Sequence, residues 1–113
     1  MSAQATQSNS PWNLARLSRE NVLPASGPYS YYYDDVAGDG TCAYIIDSGI
    51  DVTHPEFGGR AQWAINLVAG GNQDSGYHGT FVAGIVGSNT YGVAKKAKLF
   101  AVKVLNESGQ TTV

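Results

Sequence analysis

The fold is decided by residues 43–51, which read AYIIDSGID. An apolar run ends abruptly at Asp47, and Ser48 and Gly49 follow it at once. Such a run is typical of a buried parallel strand that delivers a carboxylate at its C-terminal edge, where open α/β sheets place their chemistry. The stretch therefore predicts an α/β fold with an acidic group at the edge of a parallel sheet.

A second informative stretch, residues 76–84, reads GYHGTFVAG. It places His78 at the start of a small-residue segment predicted to be helical over 78–88, 31 positions after Asp47. An acid and then a histidine, each at the end of an element, is the order of the first two members of one kind of Asp-His-Ser triad. Taken singly, such a histidine is often a cap or surface residue and Asp-Ser-Gly a turn. The two features together are far more specific to a catalytic pair than either is alone.

The rest of the chain predicts strands that alternate with a helix, and hence a parallel sheet. Residues 1–10 are predicted to be a disordered or surface-draped arm, and residues 11–18 a short helical turn anchored by Trp12, Leu14 and Leu17. Residues 31–33, three tyrosines, predict either a short edge strand or a turn. Strands are predicted at residues 41–46, 61–68 and 98–105. In the helix, small residues at Ala83, Gly84 and Gly87 would permit close packing.

The amino-acid composition argues against several classes of binding partner. At 113 residues the chain is at most one domain, and 42% hydrophobic against 14% charged residues gives it enough apolar mass for a core. Seven Lys and Arg against nine Asp and Glu leave no basic stripe, which argues against nucleic acid and anionic membranes as partners. The apolar runs are too short to span a bilayer, and the polar first ten residues do not read as a signal peptide.

The ordered motifs together resemble the N-terminal part of a subtilisin-like serine protease, of the proteinase K-like kind common in fungi. The resemblance covers nearly the whole chain and rests on the two stretches above together with residues 7–16 (QSNSPWNLAR), 53–57 (THPEF) and 90–97 (TYGVAKKA). It implies an α/β fold with a partial parallel β-sheet and flanking helices, the N-terminal portion of a subtilisin-like fold. The implied domain organisation is an N-terminal arm over 1–10 and a truncated peptidase domain over 11–113.

The resemblance also implies a function, the hydrolysis of peptide bonds by a secreted, extracellular serine endopeptidase. Asp47 would orient His78, and His78 would act as the general base on a serine. The family's nucleophile motif and oxyanion-hole asparagine are not found, and none of the ten serines lies in such a context. We therefore expect this span alone to be inactive, its partners being a polypeptide substrate and the missing C-terminal part of its own domain. The alternatives are a non-catalytic truncated product and a small peptide-binding module.

Two positions near His78 depart from the family pattern. Tyr77 replaces the glycine that usually precedes the catalytic histidine, and Phe81 replaces a frequent second histidine. Neither change touches a catalytic atom, but Tyr77 is expected to crowd the imidazole or the substrate cleft. Thr80 can cap the helix or form a local hydrogen bond.

The remaining candidates concern binding. Ser108, Gly109 and Gln110 resemble the family's exposed edge segment, which pairs with the substrate backbone by strand addition, although an ordinary turn is an equal alternative. Asp51, His54 and Glu56 match no strong metal template, so no metal or cofactor is predicted in this span. The family often binds calcium, mostly through residues beyond it, so calcium is possible in the full-length parent.

Two further positions, Cys42 and Asn106, are candidates for covalent modification. Cys42, the single cysteine, is either a buried small hydrophobe at the start of a strand or a residue whose partner lies elsewhere. If the parent is secreted, the resemblance places that partner after Val113 and leaves Cys42 a reduced thiol here. Asn106 begins the short pattern Asn-Glu-Ser, an N-glycosylation acceptor sequence.

Overall fold

The structure, a computed structural model, describes residues 3–111. The chain divides into two compact units, the first ending at Ala37 and the second beginning at Gly38. In the described part of the chain, neither helix has the length and apolar character needed to cross a membrane.

The first unit is a two-stranded antiparallel sheet with one short helix. Strand β1 (Gln4–Ser8) pairs with β2 (Ser30–Asp34), and helix α1 (Trp12–Leu17) lies between them in the chain. Disorder was therefore the wrong prediction for Gln4–Ser8, because its backbone groups pair with β2. The strand is nevertheless at the surface, since each of its residues is at least partly exposed. Met1 and Ser2 of the predicted arm lie outside the described residues.

Two of the three anchors predicted for α1 are wrong. Leu14 is fully buried, but Trp12 and Leu17 are 66% and 65% exposed. A helix of six residues buries a single face, and Leu14 and Ala15 fill it. Of the two alternatives for the tyrosine run, the strand is confirmed, and Tyr31 and Tyr33 stack with ring centroids 4.9 Å apart on one face of β2.

The second unit contains the predicted parallel sheet. Strands β3 (Cys42–Asp47), β4 (Ala61–Asn66) and β5 (Lys98–Lys103) form it in the order β3-β5-β4, and both pairings are parallel. Helix α2 (His78–Gly87) connects β4 to β5. The expected α/β class is confirmed, with strand ends that differ from the predicted ones by at most two residues. Parallel register places the carboxyl end of β3 beside that of the central strand, since Asp47 pairs with Lys103.

One face of this sheet carries the core. The buried cluster joins the sheet to α2 and to the 3₁₀ turn Pro55–Phe57, and consists of Ile45, Ile50, Phe57, Ala61, Ala83, Leu99 and Ala101. On the opposite face, Tyr44 and Ile46 are 60% and 67% exposed. The expected burial of this strand is therefore confirmed at Ile45 and wrong at Tyr44 and Ile46, because α2 packs on one face of the sheet only.

The predicted close packing of α2 is confirmed at two of its three positions. Ala83 is fully buried, and a side chain at Gly87 would lie 3.1 Å from Leu99 Cδ2. Nothing lies within 4 Å of a side chain built at Gly84, so this glycine has no packing reason.

A carboxylate fixes the 3₁₀ turn to the loop that follows α2. Glu56 accepts hydrogen bonds from the backbone N–H and the hydroxyl of Thr90, both at 2.7 Å. Burial by itself raises the pKa of Glu56, but the hydrogen bonds from Thr90 and Ser88 and the charge of His54 together outweigh it and hold the pKa below its ordinary value of 4.5.

This shift predicts how stability depends on pH. Because the pKa is lower in the folded state, the stabilisation by Glu56 is complete above about pH 4.5 and is lost as the pH falls through the lower, folded value. We expect Glu56→Gln to lower the free energy of unfolding at pH 7 and to flatten its decline in acid. Urea unfolding between pH 7 and pH 2 measures both effects, with exposed Glu20→Gln as the control. Parallel acid slopes for wild type and Glu56→Gln would contradict the assignment.

Candidate active site

The two residues singled out by the sequence meet at the carboxyl edge of the sheet. Asp47 is the last residue of β3 and His78 the first of α2. His78 Nδ1 lies 2.8 Å from Oδ2 and 2.9 Å from Oδ1 of Asp47, so the expected hydrogen bond is present. The carboxylate only accepts, which places the proton on Nδ1 and leaves Nε2 as the imidazole's basic nitrogen. The Asp47 side chain is 14% exposed, whereas that of His78 is 66% exposed.

The surroundings of Asp47 favour its charged form. Burial raises the pKa of Asp47, but the hydrogen bonds from His78 and from Ser48 outweigh it and hold the pKa below its ordinary value. The Ser48 backbone N–H donates to Oδ1 at 2.6 Å. An anionic Asp47 can therefore hold the imidazole in one tautomer and stabilise it when it becomes positively charged.

The turn after Asp47 requires glycine. Gly49 has φ = 116°, in a region that side chains rarely adopt, and a Cβ there would lie 2.7 Å from Trp63 Cη2. The Asp-Ser-Gly sequence thus lets the chain leave the strand immediately while Trp63 packs against the turn.

Tyr77 precedes the helix in a strained conformation. It has φ = 56° and ψ = 1°, the left-handed region, and makes no side-chain capping hydrogen bond. Its side chain is 68% exposed and lines a groove of about 530 Å³ with Ile50, Trp63 and Asp74, among others. The expected crowding of the substrate cleft stays a prediction.

Glycine suits this backbone better than tyrosine. We expect Tyr77→Gly to stabilise the chain by about 0.5–1 kcal/mol, because relief of the left-handed strain exceeds the entropy that glycine adds to the unfolded state. The urea midpoint measures the effect. Tyr91 is similarly exposed and has no positive φ, so Tyr91→Gly is the matched control and is expected to destabilise. A Tyr77→Gly variant less stable than wild type would contradict the claim that the backbone of Tyr77 is strained.

Sequence reasoning missed a buried polar network beneath the pair. Ser48 and Asp74 are 5% and 6% exposed, and the Ser48 hydroxyl donates to Asp74 Oδ1 at 2.7 Å. Asp74 Oδ2 accepts from both the backbone N–H and the hydroxyl of Thr80, at 2.8 and 2.6 Å. The sequence does place an aspartate, Asp74, in the loop before a predicted helix. It lies six residues before Thr80, beyond the usual capping spacing, so the pattern does not identify it as a cap.

The structure folds the predicted substrate segment into a turn. Asn106 Oδ1 accepts hydrogen bonds from the backbone N–H groups of Ser108 and Gln110, each at 3.0 Å, and Gly109 has φ = 71°. Over residues 104–111 there is no strand. A role of Ser108, Gly109 and Gln110 in binding substrate stays a prediction.

Asp51 and His54 are occupied by local hydrogen bonds, and the Glu56 carboxylate by its bonds from the distant Thr90. Asp51 Oδ1 accepts from the backbone and hydroxyl of Thr53, and His54 Nδ1 accepts from the Glu56 backbone. Among residues 3–111, no group of three or more His, Cys, Asp or Glu is placed to hold a metal ion.

Cys42 lies at the exposed start of β3 with a free thiol. Its interpretation as a buried small hydrophobe is wrong, because the side chain is exposed.

Comparison with known proteins finds relatives among the subtilases. Residues 38–113 match the peptidase S8 model of the subtilase family. The cuticle-degrading protease of Metarhizium anisopliae is 53% identical over 103 residues, which cover 91% of this chain and 26% of the relative. Proteinase T of Parengyodontium album is 55% identical over 107 residues, covering 94% and 35%.

A solved structure shows the same fold. The crystal structure of a cold adapted subtilisin-like serine proteinase superimposes with a TM-score of 0.77 at 39% identity, covering 92% of this chain and 37% of that one. The chain thus spans about a quarter to a third of the length of the curated relatives it matches. The resemblance to a proteinase K-like protease is confirmed, and the chain belongs to the subtilase family of serine proteases.

Proposed function

We propose that this chain supplies the aspartate and the histidine of the catalytic triad of a serine endopeptidase. The observation that carries the proposal is the 2.8 Å contact between His78 Nδ1 and the Asp47 carboxylate at the carboxyl edge of a parallel sheet. Family membership supports the same chemistry.

Each group has its own step in the proposed mechanism. His78 Nε2 removes the proton of a serine hydroxyl while that oxygen attacks the scissile carbonyl carbon, and the imidazolium then gives the proton to the leaving amine. A water molecule then attacks the carbonyl of the acyl-enzyme, with His78 again removing the proton and passing it to the serine oxygen, and the second product leaves. Asp47 remains ionised throughout and stabilises the imidazolium.

The nucleophile is proposed to lie outside residues 1–113. Among the described residues, no serine hydroxyl bonds to His78 Nε2. Ser48, the serine nearest to Asp47 in sequence, is buried and already bonded to Asp74 and Gly79. Relatives roughly three times the chain's length leave ample sequence for the missing serine.

The proposed partners are a polypeptide substrate and the rest of the peptidase domain. The exposed apolar face of the sheet, with Tyr44, Ile46 and Ile65, is a surface that soluble proteins normally cover. An extracellular location is proposed because the chain has few charges and one relative is named for degrading cuticle.

The proposal is tested on the purified 113-residue chain with an unstructured protein substrate. We expect no hydrolysis, because the covalent route needs a serine that the chain does not place beside His78. A serine-directed covalent inhibitor is the control. Inhibitor-sensitive turnover in a preparation free of any longer protease would contradict the proposal and place the nucleophile within these residues.

A further inference from the structure

Helix α2 begins without a cap of its own. Tyr77 occupies the capping position, but its side chain accepts no hydrogen bond from the first turn. The N–H groups of that turn have no partner within the helix and need one from elsewhere. The N–H of Gly79 donates to Ser48 Oγ at 3.0 Å, and that of Thr80 donates to Asp74 Oδ2 at 2.8 Å. Two residues from outside the helix, Ser48 and Asp74, therefore cap its first turn together.

Ser48 connects this cap to the catalytic aspartate. Its backbone N–H donates to Asp47 Oδ1, and its hydroxyl accepts from Gly79 and donates to Asp74. Its carbonyl oxygen accepts a hydrogen bond from the Nζ of Lys103, a side chain only 2% exposed. Every polar group of Ser48 is thus bonded, so its position is fixed from several directions.

Asp74 closes the network on the other side. It is buried, and both of its carboxylate oxygens are used, Oδ1 by Ser48 and Oδ2 by Thr80. The Thr80 hydroxyl in turn accepts from the Asp51 backbone N–H at 2.8 Å. The network therefore joins the turn that follows Asp47 to the helical turn that begins at His78.

We propose that Ser48 and Asp74 are positioning residues, which hold His78 against Asp47 by capping α2 from outside the helix. His78 is the first helical residue, so fraying of that turn would move its imidazole, and a hydrogen bond weakens steeply with distance and angle. The catalytic consequence rests on the proposed function, whereas the positioning itself does not. Displacement of a catalytic group by about 1 Å lowers turnover by up to about 100-fold.

The test compares Ser48→Ala and Asp74→Asn with Glu56→Gln in the full-length protein that contains this chain. Glu56 is a matched control, because its carboxylate also accepts from the N–H and hydroxyl of one threonine, Thr90, but away from His78. The first readout is the low-field proton resonance of His78 Nδ1–H. We expect it in wild type and Glu56→Gln, and expect it shifted or lost in the other two variants.

The second readout separates turnover from binding. Ser48→Ala and Asp74→Asn are expected to lower kcat by about 10- to 100-fold and to change KM by less than about threefold. Unchanged resonance in both variants would overturn the positioning role, as would an equal loss in Glu56→Gln, which would report stability alone. A wild-type protein without peptidase activity would refute the proposed function, while the resonance would still decide the positioning.

Discussion

Gly79→Ala is expected to destabilise the chain by about 3 kcal/mol or more, the largest loss of stability among the substitutions considered. A Cβ at this position would collide with the carbonyl oxygen of Gly49 and lie 3.0 Å from its carbonyl carbon. The neighbour is backbone rather than a flexible side chain, and Trp63 packs closely against the same glycine. Neither the helix nor the turn after Asp47 can therefore move without cost.

A second glycine of the same helix provides the control for Gly79→Ala. Nothing lies within 4 Å of a side chain built at Gly84, so Gly84→Ala is expected to stabilise by about 1 kcal/mol through helix propensity. Urea unfolding at pH 7 measures both variants. A Gly79→Ala variant within about 0.5 kcal/mol of wild type, or a Gly84→Ala variant that is equally damaged, would refute the close approach of α2 to Gly49.

Asp47→Asn is expected to lower kcat/KM of the full-length protein by about 10⁴-fold, the size of the effect when the triad carboxylate is replaced by its amide in other serine proteases. The amide keeps the shape of the carboxylate but can donate to Nδ1. The imidazole then carries its proton on Nε2, where it cannot accept one from a serine. The KM should change little, because no substrate contact is removed.

Asp39→Asn is the control for this effect, since it makes the same chemical change at an exposed position. Its kcat/KM is expected to stay within about threefold of wild type. Initial rates on a peptide substrate give both values. An Asp47→Asn enzyme that keeps more than about a hundredth of the wild-type activity would contradict the role of Asp47.

The sequence predicted the elements that bear the site because their signals are local. An apolar run that stops at Asp47 marks the carboxyl end of a strand. A small-residue segment that starts at His78 marks the amino end of a helix. Parallel pairing then places those ends at one edge of the sheet. The contact between the two side chains follows from this topology.

What the sequence did not predict depends on contacts between distant residues. Strand β1 (Gln4–Ser8) is polar apart from Ala5, so it shows no alternation, and its order comes from pairing with β2 about 25 residues later. The bond between Ser48 and Asp74 spans 26 positions and exists because the sheet brings the two loops together. The exposure of Tyr44 and Ile46 reflects which face α2 covers, which an apolar run cannot reveal.

The proposed function depends on one step, the activation of a serine hydroxyl by Asp47 and His78. Its most direct test is the rate at which a fluorophosphonate, which reacts with activated serines, labels the full-length wild type and His78→Ala, with the site located by mass spectrometry. We expect labelling of one serine outside residues 1–113 and a rate at least about 10³-fold lower in His78→Ala. Equal rates in the two proteins, or labelling of a serine within these residues, would contradict it.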